Sequence, residues 1–219
     1  MKGIHPLLAL LALFVAFVFI VVGLLFFRNA PITNYPPHGT NIIALGDSLT
    51  SGVGASTKET NYVGVLEKRL NITIRNAGVP GNTTRDALLR LDRDVLIFKP
   101  NIVIVFLGGN DVLQQIPSTE TFGNLKRIIG EIQASGAVVI LIGVPSGLMG
   151  DKNADEFKTL ADKTGSLYVE NALQGIIGNP KLLFDEVHPN DAGYMRVADK
   201  IAPILEGLVL AGGGTVPHD

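Results

Sequence analysis

The chain has 219 residues, 47% of them hydrophobic, with a formal net charge of -2 and no cysteine. That length suits one domain plus an appendage. The charge leaves no broad basic footprint for nucleic acid, and the missing cysteines exclude disulfides and thiolate chemistry.

Residues 1–6 form a short N-terminal segment carrying Lys2 and His5. Leu7–Phe27 follows as 21 residues without a charge or a strongly polar side chain. As a helix it would be about 31 Å long, enough to cross the hydrocarbon core of a bilayer. The run exceeds a signal-peptide core, and Val21-Val22-Gly23 is a poor cleavage site. The expectation is an uncleaved transmembrane anchor, with a cleaved signal and secretion as the rival. Positive charge flanks the run on both sides, at Lys2 and Arg28, so the positive-inside bias is weak; the expectation is that the short basic N-terminus stays in the cytoplasm with the rest of the chain outside. Residues 28–40, RNAPITNYPPHGT, hold three prolines and read as an extended spacer.

The folded domain is expected over residues 41–210. Ile42–Leu45 is a short apolar strand. Asn61–Leu70 places Val63, Leu66 and Leu70 at helical spacing, and Ile72–Asn76 is a second strand. Thr84–Phe98 reads as one helix with Ala87, Leu88, Leu91 and Val95 inward and Arg90, Asp92 and Arg93 elsewhere; Lys99-Pro100 stops it. Ile102–Leu107 is continuous and β-branched, a strand buried on both faces. Ser118–Ala134 is an amphipathic helix with Phe122, Leu125, Ile128, Ile129 and Ile132 inward. Ala137–Gly143 is a fourth strand, Asp155–Thr164 a helix, Leu167–Val169 a fifth strand and Asn190–Leu210 the last helix. Residues 211–219 read as a frayed tail. Strands separated by helices predict an α/β fold, a doubly wound five-stranded parallel sheet with helices on both faces. Ligands bind such sheets beyond the carboxyl ends of the strands. Ser48, Gly78 and Gly108-Gly109-Asn110 follow strands one, two and three, so all should share that edge.

Of four histidines, only His188 lies inside the domain. Asp185 stands three residues upstream, close enough in a tight turn to meet Nδ1 and leave Nε2 free to take a serine proton. Taken singly, Ser48 is as well explained as a cap, Asp185 as a turn residue and His188 as a surface residue; together they suit nucleophilic catalysis. Acyl transfer also needs donors for the developing oxyanion. The backbone N–H groups of Ser48 and Gly78 and the side-chain amide of Asn110 are the candidates, although Gly-Gly-Asn-Asp is also an ordinary turn. Gly52-Val53-Gly54 lacks the third glycine of a dinucleotide loop, and no G-x-S-x-G surrounds Ser48. A single domain histidine argues against catalytic zinc.

The stretches GDSLTSGVG, NAGVPGNTT, LGGND and DEVHPN occur in that order. Together they resemble the four sequence blocks of the SGNH hydrolases, also called GDSL esterases, over Asn41 to about Leu210. The likeness is strongest to the branch of acyl-CoA thioesterase I, lysophospholipase L1 and arylesterases. The resemblance implies a flavodoxin-like, three-layer fold and a serine hydrolase without metal or cofactor. It implies Ser48 as nucleophile, His188 as base and acid, Asp185 as orienting carboxylate, and Ser48 N–H, Gly78 N–H and Asn110 as oxyanion hole. Small esters or thioesters, lipids among them, are the expected substrates, with no obligate protein partner. Rival readings are a deacetylase of cell-envelope sugars on the same residues, a non-catalytic binding module, and a flavodoxin-like nucleotide binder. The short loop Pro145–Asp151 is expected to leave the site open.

Overall fold

The structure is a computed structural model, and it describes residues 31–144 and 152–217, together with Val15. Apart from Val15, the expected anchor lies outside the described residues, as do the loop at 145–151 and His218. Among the described residues no helix is long and apolar enough to cross a membrane.

Five parallel strands, β1 (Ile42–Gly46), β2 (Ile74–Gly78), β3 (Ile102–Phe106), β4 (Val138–Ile142) and β5 (Leu167–Val169), stand in the order β2-β1-β3-β4-β5. This is the flavodoxin-like order, whose strand reversal falls between β1 and β3. All five residues of β1, β3 and β4 are buried, as expected of strands covered on both faces. β2 begins two residues later than its hydrophobicity suggests and runs to Gly78, which pairs with Gly46.

Two short helices, α1 (Ser48–Ser51) and α5 (Gly109–Leu113), follow β1 and β3 directly. The others are α2 (Tyr62–Leu70), α3 (Thr84–Leu89), α4 (Leu91–Asp94), α6 (Ser118–Ala134), α7 (Lys152–Thr164) and α8 (Asp191–Ala211). Each sequence-based inward residue of α6 is buried except Phe122, which is half-buried and meets Phe157 of α7 edge to face at 5.0 Å. Asn190 caps α8 by accepting from the Gly193 N–H.

Four expectations need correction. Thr84–Phe98 is not one helix: it divides at Arg90 into α3, α4 and a 3-10 turn at Leu96–Phe98. Arg90 is not outward but buried, at 8% exposure. The stretch from Pro31 to Thr40 is not a free spacer. Thr33 N–H donates to Gly165 O at 2.9 Å, and Asn34 Nδ2 donates to Gln133 O and Ala137 O. These bonds satisfy carbonyls at the ends of α6 and α7, so the domain begins near Pro31. The tail also returns to the domain. Gly214 N–H donates to Val209 O, and Val216 is buried.

Candidate active site

The carboxyl ends of β1, β2 and β3 converge on one edge, and each delivers a different chemical group. After β1 the chain turns at Asp47 into α1. Asp47, not Ser48, is the N-cap, its side chain accepting from Leu49 N–H at 3.0 Å. Ser48 is thereby placed at the first helical position with its hydroxyl free of capping duty.

The last group comes from the segment before α8. Leu183 bridges Pro189, and Phe184 N–H donates to His188 O at 2.8 Å, closing a tight loop. Inside it, Asp185 Oδ1 accepts from Val187 N–H at 2.9 Å and His188 N–H at 2.8 Å. Asp185 Oδ2 lies 2.7 Å from His188 Nδ1. His188 Nε2 lies 3.0 Å from Ser48 Oγ. Some 140 residues of chain separate that serine and histidine. Partial desolvation raises the Asp185 carboxyl, but the Val187 N–H, the His188 ring and the His188 N–H outweigh it and hold its pKa down to about 2. Asp185 is therefore an anion throughout the neutral range and favours the tautomer with the proton on Nδ1.

Gly78 and Asn110 stand at the same edge. A Cβ on Gly78 would collide with the backbone of Thr50 and Ser51, so β2 can approach α1 this closely only without a side chain. Gly78 N–H donates to Asn76 Oδ1 at 2.9 Å, and Asn76 Nδ2 donates in turn to Thr50 O. Asn110, in α5, uses its amide twice: Nδ2 donates to Asn82 O at 3.0 Å and to Asp47 Oδ2 at 3.2 Å. Its neighbour Asp111 is buried and accepts from the N–H and hydroxyl of Thr84 and from Thr121 Oγ1, pinning α5 to α3 and α6.

Beside Ser48 and His188 lies a cavity of about 670 Å³, lined mainly by apolar side chains: Leu49, Val53, Pro80, Val112, Leu113, Val144, Leu173, Ile177 and Val187. That size and polarity suit a small molecule with an apolar portion. Among the described residues no group of three or more His, Cys, Asp or Glu side chains could hold a metal.

Sequence reasoning passed over Asp47. Its position directly before a helix-forming serine is the signal that could have marked it as a cap. Burial pushes its carboxyl up to about 6, against the opposing pull of the Leu49 N–H, the His188 ring and the Asn110 amide. Because the folded value exceeds the unfolded one, this group's contribution is most favourable below about pH 4. It is lost as pH rises through 6, by on the order of 3 kcal/mol. Asp47→Asn does not titrate. Its stability relative to the parent, from urea unfolding, should therefore improve by roughly that amount between pH 4 and pH 7.5. A pH-independent difference would contradict the perturbed carboxyl.

The chain is similar to known hydrolases. The family model described as GDSL-like Lipase/Acylhydrolase family matches residues 44–196. Esterase TesA of Pseudomonas aeruginosa is 28% identical over 180 residues, covering 77% of this chain and 89% of the relative. Thioesterase 1/protease 1/lysophospholipase L1 of Escherichia coli is 27% identical over 199 residues, covering 87% and 92%. Among solved structures, the psychrotrophic esterase EstA from Pseudoalteromonas, in a form inhibited by monoethylphosphonate, superposes with a TM-score of 0.70 at 25% identity. That match covers 78% of this chain and 99% of the other.

Proposed function

This chain belongs to the GDSL-like lipase/acylhydrolase family, and from that premise we propose that it is a serine esterase. It cleaves carboxylic esters or thioesters through an acyl-enzyme on Ser48. The observation that carries this reading is the hydrogen-bonded relay Asp185–His188–Ser48 at the mouth of an apolar cavity.

In the proposed mechanism Asp185 holds His188 with its proton on Nδ1. Nε2 takes the Ser48 proton as Oγ attacks the substrate carbonyl. Negative charge collects on the carbonyl oxygen, where the N–H groups of Ser48 and Gly78 and the Asn110 amide receive it. Gly78 N–H shares itself between Asn76 Oδ1 and the oxyanion. Asn110 has two amide hydrogens and two present acceptors, so one must yield. The bond to Asp47 is the longer of the two. His188 then protonates the leaving alcohol or thiol, and water hydrolyses the acyl-enzyme by the reverse proton path.

The cavity walls suit the apolar part of an acyl group, and the relatives named esterase and lysophospholipase support substrates of that kind. A panel of p-nitrophenyl esters, acyl-CoA, lysophospholipid and acetylated glycans separates acyl-chain hydrolysis from sugar deacetylation. Highest kcat/KM on acetylated glycans would overturn the acyl-chain reading. Asn110→Ala is expected to lower kcat about 10²-fold, with KM little changed.

The same proposal tethers the domain to a membrane through Leu7–Phe27, on the extracytoplasmic side. Its support is the uninterrupted apolar run and Lys2 on the short preceding end. Mass determination of the mature N-terminus tests it: a chain beginning within or beyond Leu7–Phe27 would mean cleavage.

A further inference from the structure

Arg90 sits where the expected single helix breaks, with backbone angles outside the helical region and its guanidinium turned beneath the candidate site. It makes four hydrogen bonds. Nη2 donates to Gly46 O at 2.9 Å, Nη1 to Ala77 O at 2.9 Å and to Asp94 Oδ2 at 3.0 Å, and Nε to Asn82 Oδ1 at 2.6 Å. Asp94 does not require it as counter-ion. Arg93 already engages both Asp94 oxygens, at 2.6 and 2.9 Å. Three of the four bonds go instead to neutral oxygens on three different segments.

Two of those segments carry candidate oxyanion donors, Ser48 and Gly78, and the third, at Asn82, accepts from the remaining donor, Asn110. Gly46 O closes β1 two residues before Ser48, and it also accepts from Val79 N–H, joining the ends of β1 and β2. Ala77 C=O belongs to the same planar peptide as Gly78 N–H. Holding that oxygen fixes the plane in which the N–H points. A charged donor on the oxygen also polarises the peptide and strengthens the N–H as a donor. Asn82, held through its side chain, presents the main-chain carbonyl that accepts from Asn110 Nδ2. We infer that Arg90 is a positioning residue that sets all three oxyanion donors from a single buried guanidinium, without touching substrate. Lysine could keep the charge but not the planar fork that reaches three segments at once.

This inference rests on the serine-esterase reading, and the test separates the two. Wild type, Ser48→Ala, Arg90→Lys, Asn110→Ala and the double variant Arg90→Lys/Asn110→Ala are compared as full-length chains on p-nitrophenyl butyrate. Melting temperature is recorded in parallel. Arg90→Lys is expected to lower kcat by about 10- to 100-fold while KM moves less than about threefold. The double variant should lose distinctly less than the product of the two single losses, because both changes act on one oxyanion. Asn82→Ala severs only the Nε arm and should lower kcat about fivefold at unchanged KM; it serves if Arg90→Lys does not fold. Retained kcat in Arg90→Lys, or in Asn82→Ala where that is the variant read, overturns the inference. So does a change confined to melting temperature, or losses that multiply fully. Activity that survives Ser48→Ala overturns the esterase mechanism instead.

Discussion

Ser48→Ala is expected to lower kcat on short p-nitrophenyl esters by about 10³-fold or more, with KM within a few-fold of wild type. The reasoning is local. Removing Oγ leaves the cavity lining and all three candidate oxyanion donors untouched, so substrate still binds. It removes the atom 3.0 Å from His188 Nε2 that would form the acyl bond. Residual turnover could come only from direct attack by water, positioned by His188 and stabilised by the remaining donors. Asp47 rather than Ser48 caps α1, so alanine at the first helical position costs no cap and the fold should persist. Steady-state rates with melting temperature as control check it. Wild-type hydrolysis by a folded Ser48→Ala chain would show that Ser48 is not the nucleophile.

Asp185→Asn should be nearly as damaging, lowering kcat by about 10³- to 10⁴-fold. The carboxylate has two duties on two oxygens. Oδ1 accepts from Val187 N–H and His188 N–H, and asparagine can keep that pair with its own Oδ1. Oδ2 faces His188 Nδ1 at 2.7 Å, and in asparagine that place is taken by an amide donor. A donor there requires Nδ1 to be the acceptor, which puts the ring proton on Nε2, facing Ser48. The imidazole can then no longer take the serine proton. The loop should stay intact while the base is lost, so the fall belongs in kcat with little change in KM or stability. A fall of only a few-fold would mean that the tautomer is set by something other than Asp185.

Much of the fold can be read locally. Ile102–Phe106 and Val138–Ile142 are apolar without interruption because helices cover both faces of the sheet centre, so composition alone marks them. Ser118–Ala134 falls where its 3.6-residue periodicity puts it. The exceptions share a physical cause, a partner distant in the chain. Apolar spacing runs straight through Arg90, yet its guanidinium is taken up by carbonyls 13 and 44 residues away, and the helix ends to allow it. Asn34 looks like a linker residue until Gln133 and Ala137 offer carbonyls 99 and 103 residues later. Such bonds leave no local pattern. Ser48 could be singled out by the strand-end rule, and Asp185 and His188 by residue type and their three-residue spacing. What surrounds them could not. Asn110 donating to Asp47 and Asn82, and Gly78 donating to Asn76, are facts of tertiary packing.

The central claim is that one hydroxyl, activated by one imidazole, attacks carbonyl carbon. Phosphonylation reads it most directly. The full-length protein is treated with a fluorophosphonate ester, and the adduct is located by peptide mass mapping. One adduct per chain is predicted, on Ser48, formed with loss of esterase activity, absent in Ser48→Ala and strongly slowed in His188→Ala. A chain that hydrolyses esters yet carries its adduct elsewhere, or carries none, would contradict it.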